Sequence, residues 1–291
     1  MCLLEVDMLR RSIAYLACML FFFAVFACAN IPKFNFTQGT RVGIVNLLES
    51  EATHTNFSSF SQDNFTRKYA VDWQIPLYAE RKLNAELKKN TNLTVVAIKV
   101  ADPSEQKALR LNMIERVILS ETAPPTIPPE GAKTLETISD SENVQVVVII
   151  GSYYGPSVYK SAEDPIFLEG YGLFTRILLR GIFERMLGGV LSFRKAYAFA
   201  QIGVVVFKTR PVLYIGSAKA SSQGRPLLPL ADFDWNVDIK NLPQADLAKT
   251  KPRIEQYIDG AVEEALKVAN LAPSGGSGEK AGFGSGGAPS R

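Results

Sequence analysis

Short, almost uninterrupted apolar runs punctuate the chain, and they frame the reading of what lies between. Arg41-Val-Gly-Ile-Val-Asn-Leu-Leu48, Leu93-Thr-Val-Val-Ala-Ile-Lys-Val100 and Val144-Gln-Val-Val-Val-Ile-Ile150 are rich in β-branched residues and too short for helices. Their apolar character demands cover on both faces, so 42–48, 94–100 and 144–150 are predicted as inner strands, the third of them central. Helical spacing separates them. Pro76 opens a pattern running to about Lys89, with Leu83 and Leu87 four apart on one face. Asp102-Pro103-Ser104-Glu105 combines an acidic N-cap, proline at the first helical position and an early glutamate. Leu111, Ile114 and Ile118 then follow along one helix face.

The remaining segments read as follows. The polar stretch from Glu49 to Asp72 predicts a loop or an edge hairpin, with His54, the single histidine, as a surface side chain. Ala123-Pro-Pro-Thr-Ile-Pro-Pro-Glu130 is a loop, because adjacent prolines cannot hold a helix. Gly151 to Glu169 reads as a long polar and aromatic loop. Gly170 to Phe193 is ambiguous, its Leu and Ile content pointing to helix and its glycines against it. Ala196–Phe207 and Val212–Ala218 flank Thr209-Arg210-Pro211 and predict an antiparallel hairpin. Pro252 opens a last helix to about Leu271, with Ile254, Tyr257, Ile258, Ala261, Ala265 and Leu266 toward a core. The fold class that accommodates this order is α/β: a single mixed sheet, with parallel inner strands plus an antiparallel hairpin and helices packed on it. The domain would span residues 30–272. Residues 273–291, rich in Gly and Ser, read as a disordered tail.

The N-terminus changes where this domain is expected to work. Ile13 to Ala27 is apolar without a charge and follows Arg10-Arg11, the pattern of a signal peptide over residues 1–29. The run is shorter than the roughly 20 residues of a spanning helix. Glu5 and Asp7 put acid where a basic region belongs, so Met8-Leu-Arg-Arg-Ser12 is a better start. Two cleavage outcomes stay open. Ala27-Cys28-Ala29 suits release at Asn30, whereas Val25-Phe26-Ala27-Cys28 resembles a degenerate lipobox in which Cys28 is lipidated. Membrane attachment would then come only through the leader or that lipid.

Composition narrows the chemistry. The chain has 291 residues, with 32 basic and 29 acidic side chains, and its net charge of +3 is spread without basic runs, which argues against a nucleic-acid partner. Cys2, Cys18 and Cys28 all lie in or beside the leader, so the domain has no disulfide framework, thiol nucleophile or cysteine zinc site. Gly170-Tyr-Gly172 lacks the spacing and the lysine of a phosphate loop, and no Gly-x-Ser-x-Gly elbow occurs. No cofactor or metal site is therefore expected. Asn35, Asn56, Asn64 and Asn92 each head an Asn-x-Ser/Thr sequon, which matters only in a cell that glycosylates exported proteins.

Val42-Gly-Ile-Val-Asn-Leu47, the Ala196–Phe207 strand leading into a hairpin and the C-terminal helix resemble the α/β domain shared by the curli-secretion lipoprotein CsgG and the N-terminal domain of the periplasmic protein TolB. The resemblance is one of element order over about residues 40–270. It implies an envelope assembly or adaptor role.

Two surfaces could carry binding. Tyr153, Tyr154, Tyr159 and Tyr171 gather after the third strand, where ligands bind in parallel sheets and aromatic rings can stack on a sugar or grip a peptide; the alternative is that they seal the sheet's end. Asp232, Asp234 and Asp238 surround Trp235, but the ligand spacing and glycine of a calcium loop are missing, so a solvated loop is the plainer reading. The expectation is an exported, non-enzymatic binding or assembly protein whose partner is an envelope protein or a glycan. The runner-up is an exported hydrolase that uses Asp or Glu near the sheet's end on glycans.

Overall fold

The computed structural model describes residues 34, 36–58, 64–120, 124–161, 164–179, 192–220, 228–229 and 244–272. In chain order they form β1 (Thr40–Leu47), β2 (Glu51–Ser58), β3 (Phe65–Ala70), α1 (Ile75–Lys88), β4 (Leu93–Ile98), α2 (Pro103–Leu109), a π-helical segment (Arg110–Glu115) and α3 (Arg116–Ile118). Then come α4 (Pro129–Glu142), β5 (Val146–Ser152), β6 (Tyr154–Ser161), β7 (Asp164–Leu179), β8 (Ser192–Thr209), β9 (Val212–Lys219), β10 (Leu228–Pro229) and α5 (Gln244–Val268). The leader, Cys28, residues 230–243 with Asp232 and Trp235, and the tail lie outside the described residues.

The strands make one curled, mixed sheet in the order β3-β2-β7-β8-β5-β1-β4, with β6 paired to β7 and both β9 and β10 to β8. β4, β1 and β5 run parallel, as predicted, and β5 is buried at all of its positions. β8 ties the sheet together. Its first half pairs with β7 and its second half with β5 and β9. Alternation explains why β5 and β8 read as unbroken apolar runs. Val146, Val148 and Ile150 join Ile202, Val204 and Val206 in a core under α1 and α5. Val147 and Ile149 join Val205 and Phe207 in a second core under α2, α3 and α4. Both faces are covered, so neither can be polar.

The helices follow their predicted faces with one displacement. Ile75, Ala79, Leu83 and Leu87 are the buried row of α1, and Ile254, Tyr257, Ile258, Ala261, Ala265 and Leu266 are buried on α5. Asp102 caps α2, its Oδ1 accepting from the Ser104 amide at 2.8 Å. The π turn adds a residue, however, and the buried face becomes Leu109, Met113, Ile114 and Val117, with Leu111 exposed. Pro252 lies inside α5 rather than opening it. α4 carries no strong sequence signal, but its Leu135, Ile138 and Ser139 are buried.

Three expectations are corrected. The strand at 94–100 is not inner: β4 is the edge of the sheet, with Thr94 and Ala97 exposed. Residues 151–172 are not a loop but the end of β5, β6 and the first part of β7, in which inward and outward side chains alternate at the strand period. His54 is not on the surface. It lies on β2, fully buried, with Nε2 3.0 Å from the Thr175 hydroxyl, which donates to Asn56 Oδ1, and its ring edge-on to Phe65. Asn56, the second sequon residue, is buried with it.

The bend that lets β7 serve two partners rests on glycine. β7 leaves β6 at Glu169 and joins β2 and β8 from Gly170 onward. Gly170 and Gly172 take φ of +74° and +152°, and a Cβ on Gly172 would stand 2.0 Å from the Thr53 carbonyl oxygen. No other residue tolerates both the φ and the close approach.

Candidate functional site

The β6–β7 ribbon folds back over one face of the sheet, and its two sides differ. Inward, Tyr159, Ile166 and Leu168 pack on Phe174, Tyr197, Phe199 and Phe57. The Tyr159 ring stacks on Phe174 with centroids 4.7 Å apart, and its hydroxyl donates to the Ala198 carbonyl. The Gln201 amide holds the ribbon's base, donating to the Gly155 and Pro156 carbonyls at 3.3 and 3.1 Å.

Outward, strand alternation presents Tyr154, Pro156 and Val158 from β6 and Pro165 and Phe167 from β7, all exposed. Tyr154 and Phe167 sit diagonally across the ribbon with ring centroids 5.5 Å apart and planes 25° from parallel. They keep 53% and 48% of their surface in water, and Val158 keeps 54%. With aromatic side chains of about 200 Å² each, the strip amounts to roughly 400 Å² of apolar surface, the size at which an exposed patch usually has a use. Leu119, exposed at the end of α3, borders it beside Gly155.

The tyrosines expected to act together are therefore split. Tyr154 alone is at the surface. Tyr153 is buried in the core under α2 and α4, where desolvation pushes its hydroxyl up to about 12. Tyr159 belongs to the inward face. Tyr171 is buried on the opposite side of the sheet, its hydroxyl donating to the Glu49 carbonyl at 2.7 Å. Burial, then the charges of Glu49 and Glu51, raise its pKa above the ordinary tyrosine value. Phe167, Pro156, Val158 and Pro165 were not anticipated, because Pro165-Ile-Phe-Leu168 is apolar at every position and does not tell the inward side chains from the outward ones.

Glu49, Glu169 and Glu115, at this end of the sheet, are engaged by cations or an amide. Glu49 bridges Lys68 and Arg110, and Arg110 donates to Glu169 at 2.7 Å. Glu115 accepts from the Tyr154 amide at 3.4 Å. Among the described residues no three His, Cys, Asp or Glu side chains group as metal ligands. No described helix is long and apolar enough to cross a membrane.

The fold and this ribbon define an α/β protein with a curled mixed sheet and an aromatic outer strip. No family model matches the sequence, and no curated protein matches it. Among solved structures the chain is similar to that of the hypothetical protein CT253 from Chlamydia trachomatis, at 13% identity and a TM-score of 0.24, over 77% of this chain and 98% of that one. A likeness that distant says nothing about function.

Proposed function

We propose that the protein is an exported, non-catalytic binding or assembly protein of the cell envelope, and that it grips a short segment of an envelope protein on the outer face of the β6–β7 ribbon. The observation that carries this is the half-exposed Tyr154–Phe167 pair set among Pro156, Val158 and Pro165. Rigid rings and prolines lose little entropy when a partner covers them. The ribbon works by its face and not its edge: Pro156 has no N–H, and the Ser157 hydroxyl already accepts the Tyr159 amide across an irregular stretch between Pro156 and Lys160. At roughly 400 Å², the strip is about half of what each side of a stable protein–protein interface buries, so it suits a short segment better than a whole domain. Glu49, Glu169 and Glu115, on the side of Tyr154, are tied to Arg110, Lys68 and a backbone amide, which favours binding over acid–base hydrolysis.

Export follows from the leader. Mass spectrometry of the N-terminus after cell fractionation tests it: a chain starting at Asn30 or a lipidated Cys28 in the envelope supports the reading, and an intact N-terminus in the cytoplasm sinks it. Binding is tested by co-sedimentation with isolated envelope fragments. The Tyr154→Ala/Phe167→Ala double variant should lose retention about tenfold or more while keeping its fold. Equal retention of the two proteins would refute the ribbon's role.

A further inference from the structure

The sheet's free edges are not treated alike. β3 carries Arg67 and Lys68, exposed, on its edge. β6 carries Pro156 and a break in register, and β9 has a register shift opposite Val206 and Phe207 and ends in Lys219. These are the usual defences against unwanted strand pairing. β4, Leu93-Thr-Val-Val-Ala-Ile98, carries no charge, proline, glycine or bulge, and no described strand pairs with its outer side. An undefended, β-branched edge is a template for another strand.

The helix above β4 points to which strand. α1 packs on β1 and β4, and its Tyr78–Lys82–Glu86 row faces α5 through Tyr78–Asp259 and Lys82–Glu263 contacts. Glu80, Asn84 and Lys88 stand two residues from that row, about 200° around the helix, and so lie on the side of β4's free edge. Leu77 and Lys88 there are exposed, and the Asn84 Oδ1 is buried without a hydrogen-bond partner.

We infer that β4 pairs antiparallel with β4 of a second copy of this chain across a two-fold axis. Centred on Val96, which then faces its own copy, the pairing sets Val95 against Ala97, Thr94 against Ile98 and Leu93 against Lys99, each pair on one face of the sheet and with no like charges opposed. The same axis brings the two α1 helices together in antiparallel fashion. Two strand spacings separate their axes, about 10 Å, which is ordinary helix-packing distance. Centred on Asn84, that contact sets Glu80 against Lys88 of the second copy twice over. The centres agree in height. Leu93 N donates to Asn90 O, so both lie at one level; Asn84 is about 9 Å above it along the helix and Val96 about 10 Å above it along the strand. The pairing would also turn the apolar β4 into the inner strand that its sequence demands. This inference stands independently of the ribbon.

Sedimentation of the chain, purified as its cell leaves it, tests this. The expected species at about 50 µM is a dimer. Thr94 and Ala97 are exposed, so the Thr94→Lys/Ala97→Lys variant should fold, by circular dichroism, yet sediment as a monomer, because its lysines would set charge against Ile98 and Val95 of the second copy on both faces of the seam. Glu80→Lys and Lys88→Glu should each weaken the dimer about tenfold, and combining them should restore it to within about threefold. A monomer at about 200 µM, a dimer that survives the lysine pair, or a double reversal no tighter than the single ones would each overturn the proposal.

Discussion

Tyr159 and Tyr154 lie on one strand five residues apart, yet truncating them should have opposite consequences. Tyr159 is 6% exposed, with its ring 4.7 Å from those of Phe174 and Tyr197 and its hydroxyl on the Ala198 carbonyl. Tyr159→Ala removes a buried aromatic and leaves a cavity between sheet and ribbon, a loss of about 3–5 kcal/mol. The ribbon is joined to the sheet along only part of its length, so it can settle into the gap, and the lower half of that range is expected. At roughly 2–4 °C per kcal/mol for a domain of this size, the melting temperature should fall by about 10 °C. Tyr154→Ala removes a half-exposed ring whose stacking partner, Phe167, is itself half exposed. Its cost should stay below about 1 kcal/mol, or roughly 3 °C. Urea unfolding followed by circular dichroism reads both. Comparable losses in the two variants would mean that the outer strip is part of the core, and the case for a binding face would fail.

Further outcomes follow from the packing. Gly172→Ala should abolish folding or cost more than about 3 kcal/mol, since both its φ and the Thr53 carbonyl exclude a Cβ; a soluble variant with an unchanged urea midpoint would refute the account of the β7 bend. His54→Ala should cost about 2–4 kcal/mol through the cavity left beside Phe65 and the lost hydrogen bond with the Thr175 hydroxyl, checked by thermal melts. Glu86 is lowered from the ordinary glutamate value: burial opposes this, but the hydrogen bonds from Lys89 and Lys82 outweigh it. A carboxylate whose folded pKa is depressed stabilises fully above its unfolded value and loses that contribution as pH falls through the folded one. The stability gap between the parent and Glu86→Gln should therefore be present at neutral pH and shrink below about pH 4.5, measured by urea titration.

Local pattern was enough for elements whose neighbours do not change their meaning. Unbroken β-branched runs make β1 and β5 strands covered on both faces, the i, i+4 row makes α1, the Asp102 cap starts α2, and two apolar runs around Thr209-Arg210-Pro211 make the β8–β9 hairpin. The mixed α/β sheet follows from their order. Tertiary structure decided the rest. Which strand stands at the edge depends on the return path of the chain, and this left β4 outside although its composition matches that of an inner strand. The 151–172 segment reads as a loop because glycines and prolines break it, yet one glycine pair bends β7 and both Pro156 and Pro165 lie outward on a ribbon. The four tyrosines are close in sequence, but strand alternation and the bend at Gly170 send them to two cores, the sheet–ribbon layer and the solvent. A side chain's role depends on what faces it, and that is fixed by distant segments such as β2 and β8, not by its neighbours along the chain.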